Sequence, residues 1–171
     1  MKNFIYYGKV FKDLSTLMKV AKEREWHPHE NHLDRLSCPV APDEILDPQV
    51  IYDVYTDFIG EYHTFDLTPS WKTVDCKLAK YYPGMEMDWH DDYGNPVAYT
   101  NQSRPWGRRQ ITSITYLNDD YEGGATEFRD GTTITPRAGE TLIFPSHWCF
   151  RHRGRKVSSG IKLIFIEHLW G

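Results

Sequence analysis

Apolar residues recur with two different periods along this chain, and the change falls near residue 70. Over Asp13 to Glu25, Leu14, Leu17, Met18 and Ala21 stand at i, i+3, i+4 and i+7, which places them on one stripe of a helix. Asp13 is positioned to cap its first turn. A second helix is predicted from Asp47-Pro48, a capping residue followed by proline where a helix needs no backbone donor. Its apolar face would carry Ile51, Val54, Tyr55, Phe58 and Tyr62. Between the two, residues 27 to 47 mix His27, His29, His32, prolines and charges without any period, which is loop composition.

From Trp71 onward the texture changes to short segments of Val, Ile, Thr, Tyr and Phe, punctuated by Gly, Pro, Asn and Asp. The segments at 72–81, 86–92, 109–117, 125–129, 132–135, 140–144, 147–153 and 161–169 are predicted to be antiparallel strands. Eight short strands after two helices predict a mainly β fold, a sandwich or jelly roll with the N-terminal helices flanking one sheet. No repeat, low-complexity run or linker divides the chain. Its 171 residues are close to the roughly 150 of an average domain, so 1–171 reads as one domain. Residues 1–70 would be a helical buttress and 71–171 the jelly-roll core.

Composition narrows the partners. With 8 Phe and 6 Trp among 40% hydrophobic residues the chain can build a core, which excludes disorder. Twenty Lys and Arg against 24 Asp and Glu give a net charge of −4, so no long-range field favours nucleic acid or an anionic membrane. Cys38, Cys76 and Cys149 are far apart and odd in number, which argues against a disulfide framework or a cysteine zinc site. Neither a signal peptide nor a membrane-spanning run is visible, and the expected location is the cytoplasm.

The sharpest local feature is His90-Asp91-Asp92. In a strand residues i and i+2 share a face, so the His90 imidazole and the Asp92 carboxylate would lie side by side while Asp91 points away. With 8 histidines and 14 aspartates, chance alone gives about 0.65 such pairs in a chain of this length, and His32-Leu33-Asp34 is a second one in the loop-like region. A site needs more. Two histidines and one carboxylate on one face of an iron ion leave three positions open, and His152, sixty residues after Asp92, is the candidate third ligand. His147 lies in the same stretch and competes with it. A jelly roll folds back on itself and would let these strands meet.

These residues stand in a series of ordered motifs. Tyr81-Tyr82-Pro83-Gly84 precedes the His90 and Asp92 pair; Arg109 to Asn118 ends in Tyr116-Leu117-Asn118; Glu122-Gly123-Gly124 to Phe128 follows; and His152, Val157, Gly160 and Lys162 close the pattern. From Trp71 to Gly171 the chain resembles the 2-oxoglutarate and Fe(II)-dependent dioxygenases, in particular their prolyl 4-hydroxylase-like branch. The resemblance implies a double-stranded β-helix of the cupin type, with iron on His90, Asp92 and His152. It also favours His152 over His147, which would leave Lys162 at the wrong spacing. It further implies 2-oxoglutarate chelating the metal, O2 as second co-substrate and ascorbate as reductant. Lys162 would meet the far carboxylate of 2-oxoglutarate, with Tyr81 and Tyr116 as hydrogen-bonding phenols and the Thr112 hydroxyl as a further option.

Substrate is less legible. Residues 92 to 108 are long and aperiodic enough to form a lid, in which Tyr99 and Trp106 could hold a substrate. Arg109 matches a family position that contacts peptides. Six residues after Lys162, where the prolyl hydroxylases carry tryptophan, this chain has His168. The expected reaction is hydroxylation of an aliphatic C–H bond, with a prolyl residue in a peptide or protein as first substrate and a free amino acid or other small molecule as alternative. A cupin-like module that binds metal without turnover is the rival of another class, and Lys162 speaks against it. A hydrolytic zinc enzyme would need a general base that the motifs do not supply.

Overall fold

The computed structural model describes residues 5–29, 32–40, 72–93 and 109–170. The order is β1 (Tyr6–Lys9), α1 (Ser15–Glu23), β2 (His27–His29), β3 (His32–Val40), β4 (Lys72–Tyr81), β5 (Met87–His90), β6 (Arg109–Tyr116), β7 (Glu122–Gly123) and β8 (Thr126–Phe128). It continues with β9 (Thr133–Ile134), β10 (Glu140–Pro145), a 3-10 turn at Trp148–Phe150, β11 (His152–Gly154), β12 (Val157–Ser159) and β13 (Lys162–Trp170). Among the described residues the strands form a seven-stranded sheet, β1-β10-β6-β13-β4-β3-β2, a four-stranded sheet, β5-β11-β8-β9, and a β12-β7 ladder. All pairings are antiparallel.

The period of two along the central strands decides which side chains meet. On β13, Ile164 and Ile166 join Ala79, Tyr81, Ile114 and Tyr116 in a core shared with Phe128 of the smaller sheet. Leu163 and Phe165 point the other way, onto Cys76, Leu78, Cys38, Val40 and the Leu17 and Ala21 face of α1. β13 is therefore covered on both faces and lies between β4 and β6, which explains why its sequence reads as a nearly unbroken apolar run.

Four local expectations need correction. Residues 27–29 and 32–40 are strands, as are 6–9, so the first forty residues supply three strands of the larger sheet and are no purely helical buttress. β3 gains this conformation from pairing with β4, Leu36 opposite Lys80 through Val40 opposite Cys76, which outweighs its loop-like composition. Pro39 is tolerated because it lies past the residues that β2 pairs. Asp13 is one residue early for the N-cap, which is Leu14; its carboxylate instead accepts the Ser15 amide at 2.9 Å and the Ser15 hydroxyl at 2.6 Å. β5 stops at His90, and the segment expected as a strand over 147–153 is a turn as far as Phe150. The helix expected from Asp47 lies outside the described residues. Among those described, no helix is long and apolar enough to cross a membrane.

Candidate active site

β5 and β11 are neighbours in the smaller sheet, and their register sets His90 directly opposite His152. Directly paired residues on one face have Cβ atoms about 5 Å apart, and the two imidazole centroids are accordingly 4.3 Å apart. Asp92 sits in the bend after β5 and swings its carboxylate between the rings: Oδ1 is 3.7 Å from His90 Nε2 and Oδ2 is 3.6 Å from His152 Nε2. One donor atom from each of the three residues lies within 4.8 Å of the others, the one such group of potential metal ligands found among the described residues.

Each ring is aimed by the backbone carbonyl two residues before it, on β5 for His90 and in the turn before β11 for His152. His90 Nδ1 is 2.6 Å from the Asp88 carbonyl and His152 Nδ1 is 3.1 Å from the Phe150 carbonyl. A carbonyl only accepts, so each Nδ1 carries the hydrogen and each Nε2 keeps its lone pair for a metal. Phe144 and Phe128 pack on the His152 ring, at 4.8 and 5.8 Å between centroids. That burial pushes the His152 pKa down to about 4 despite the opposing pull of Asp92, so the ring is neutral at pH 7. Burial pushes Asp92 up, but His152, His168, His90 and Arg109 outweigh it and hold the carboxylate well below the usual range. A neutral His152 imidazole and an anionic Asp92 carboxylate suit a divalent iron.

The donors open on a cavity of about 310 Å³ between the two sheets. Lys162 begins β13 at its wall and is 3% exposed, which lowers its pKa to about 7. Its Nζ lies 5.4 Å from the Tyr81 ring centre and 5.5 Å from that of Tyr116, and donates to the Gly124 carbonyl at 2.6 Å. Gly124 has φ of +65°, and a Cβ there would stand 3.1 Å from Lys162 Cδ, so the turn also clears room for the lysine. Tyr81 lines the cavity. Tyr116 is fully buried behind it and exchanges its hydroxyl hydrogen bond with Thr126, at 2.8 Å. Arg109 also lines the cavity, its guanidinium 5.5 Å from the centre of the Trp170 ring. Tyr99 and Trp106 lie outside the described residues.

Two placements, those of Asp91 and Thr112, depart from the sequence reading. Asp91 borders the cavity although it is not in the donor group. His147, the competitor that the sequence reading ranked below His152, packs against Tyr93 at 4.6 Å between ring centroids and is outside the donor group. Thr112 serves the metal carboxylate, donating to Asp92 Oδ2 at 2.9 Å. Thr126, Ser146 and the Gly124 carbonyl were invisible to pattern reading, because hydroxyl and glycine positions inside fully buried strands and turns carry no period of their own.

Residues 76–169 match the model of the 2OG-Fe(II) oxygenase superfamily. No curated protein matches the sequence. Among solved structures the fold is similar to the viral collagen prolyl hydroxylase of Paramecium Bursaria Chlorella virus-1 in its 2OG complex. That match has a TM-score of 0.70 and 18% identity, over 98% of this chain and 96% of that one. A Pseudomonas putida prolyl-4-hydroxylase gives 0.67 and 18%, over 98% and 92%. HygX from Streptomyces hygroscopicus, solved with nickel and 2-oxoglutarate bound, gives 0.64 and 10%, over 98% and 82%.

Proposed function

This chain belongs to the 2OG-Fe(II) oxygenase superfamily, and on that premise we propose that it hydroxylates an aliphatic C–H bond, a prolyl residue in a peptide or protein being the first substrate. The observation that carries the reading is the convergence of His90, Asp92 and His152 in the cavity that also holds the buried ammonium of Lys162. Iron with 2-oxoglutarate and O2 supplies an oxidant for such bonds, 2-oxoglutarate leaving as succinate and CO2.

The residues divide the work. His90, Asp92 and His152 hold the metal on one face and leave the cavity side open. Lys162 meets the far carboxylate of 2-oxoglutarate, and the flanking Tyr81 and Tyr116 rings keep that end dry. A plain metal-binding module would have no use for a buried cation here. Arg109, on the cavity wall, contacts the substrate, a role that Tyr99 and Trp106 share on this reading. Ascorbate is the reductant proposed to sustain turnover.

The prolyl assignment is supported by the motifs around Tyr81, Tyr116 and His152 and by fold neighbours that bear the prolyl hydroxylase name. A second reading, a free amino acid or other small polar molecule, is favoured by His168, a polar side chain lining the cavity where a prolyl hydroxylase has tryptophan. Incubation with Fe(II), 2-oxoglutarate and 18O2 against proline-containing peptides and against free amino acids separates the two. One 18O atom in a peptide proline supports the first reading. Label confined to a free amino acid replaces it with the second.

A further inference from the structure

Beneath Asp92 lies a hydrogen-bonded cluster that a bound metal would not touch. Thr112 Oγ1 is 2.9 Å from Asp92 Oδ2, 2.9 Å from Ser146 Oγ and 3.3 Å from His168 Nδ1. Thr112, Ser146 and His168 are respectively 0%, 1% and 2% exposed, so the cluster is shielded from bulk water even though Thr112 and His168 border the cavity. A hydroxyl has one hydrogen and two lone pairs, and an ionised carboxylate can only accept. The Thr112 hydrogen is therefore committed to Asp92. Its two lone pairs are left to accept from the Ser146 hydroxyl and from His168, which must carry its hydrogen on Nδ1.

Resting on the metal-centre reading above, we propose that His168 is a positioning residue for the iron carboxylate. Through Thr112 it ties down Oδ2 of Asp92, so that Oδ1, the oxygen nearer His90 Nε2, is the one presented to the metal. The three members come from strands and a loop of the larger sheet, β6, β13 and the residue after β10, whereas both histidine ligands stand on the smaller one. The cluster thus references the third ligand to the opposite sheet. This gives a polar side chain at 168 a structural task in the site: a residue without a donor at the place of Nδ1 would leave a buried Thr112 lone pair without its protein partner.

The test is Mn(II) affinity, read by electron paramagnetic resonance on the full chain with 2-oxoglutarate present, together with the melting temperature of the metal-free protein. Loss of an outer hydrogen-bond partner of a metal ligand typically weakens binding about 10- to 100-fold. Thr112→Val should fall in the upper part of that range, and His168→Phe near the lower end. His168→Asn puts an amide N–H close to the place of Nδ1 and should restore affinity. His168→Gln puts it at the place of Nε2 and should not. Asn and Gln variants that differ in Mn(II) affinity but melt alike support positioning. Equal affinity in wild type, His168→Phe, His168→Asn and His168→Gln overturns it while leaving the metal centre intact, as does an equal loss in Asn and Gln. A wild type that binds no Mn(II) overturns the metal centre and this inference with it.

Discussion

Asp91 and Asp92 are adjacent in the chain and border the same cavity, yet only Asp92 brings an oxygen within reach of both imidazole Nε2 atoms. Asp92→Ala should abolish iron binding and turnover, whereas Asp91→Ala should keep the metal, a contrast that titration with Fe(II) under anaerobic conditions checks. With Lys162 as the proposed partner of the far carboxylate, Lys162→Ala should lose a charge-assisted hydrogen bond worth about 1.5–3 kcal/mol, or about ten- to over a hundredfold in 2-oxoglutarate affinity, with Fe(II) affinity little changed. The burial that lowers the Lys162 pKa to about 7 also predicts a pH dependence. The carboxylate binds the ammonium form, so above about pH 7 binding must first take up a proton, and affinity should fall by up to about tenfold per pH unit. Calorimetry from pH 6.5 to 9 would show it, and Lys162→Arg, always charged, should lose the slope. At this scale the metal ligands were legible, since a His-x-Asp pair, a distant histidine and a lysine ten residues on are chemically unusual together. The Thr112, Ser146 and Gly124 contacts were not, because they depend on which strands lie opposite one another.

β13 bears the cavity on one face and a buried carboxyl on the other. Glu167, 1% exposed, accepts a hydrogen bond from the Cys76 thiol at 3.9 Å, and burial raises its pKa to about 8. Because the folded state keeps this proton and the unfolded chain releases it near the ordinary value of 4.5, Glu167 contributes stability that is present at low pH and lost as pH rises towards about 8. Glu167→Gln, which keeps the shape and needs no proton, should flatten that decline, as denaturant melts at pH 5 and pH 8 would reveal. β11 is held from outside: Arg153 Nε and Nη2 meet Glu127 Oε2 of β8 at 2.9 and 2.8 Å, one residue from the His152 ligand. Elements rich in Val, Ile, Thr, Tyr and Phe and bounded by turn residues, such as β6, β10 and β13, were readable from sequence. β2 and β3 were not, since their strand conformation comes from a partner and from an edge that admits proline.

Across the whole molecule, two sheets close on each other so that ligands from the smaller one, a cation from the larger one and a carboxylate tied between them enclose one cavity. The layered β architecture was legible because short segments rich in Val, Ile, Thr, Tyr and Phe recur between turn residues from Trp71 onward, while the contribution of the first forty residues to the larger sheet was hidden by their mixed composition. The central claim is that this assembly performs 2-oxoglutarate-dependent oxidation. It is tested most directly by mixing anaerobic protein, Fe(II) and 2-oxoglutarate, admitting oxygen and measuring succinate. The account predicts oxygen-dependent succinate from the wild type and none from Asp92→Ala; 2-oxoglutarate recovered intact from a wild type that has bound both iron and co-substrate would contradict it.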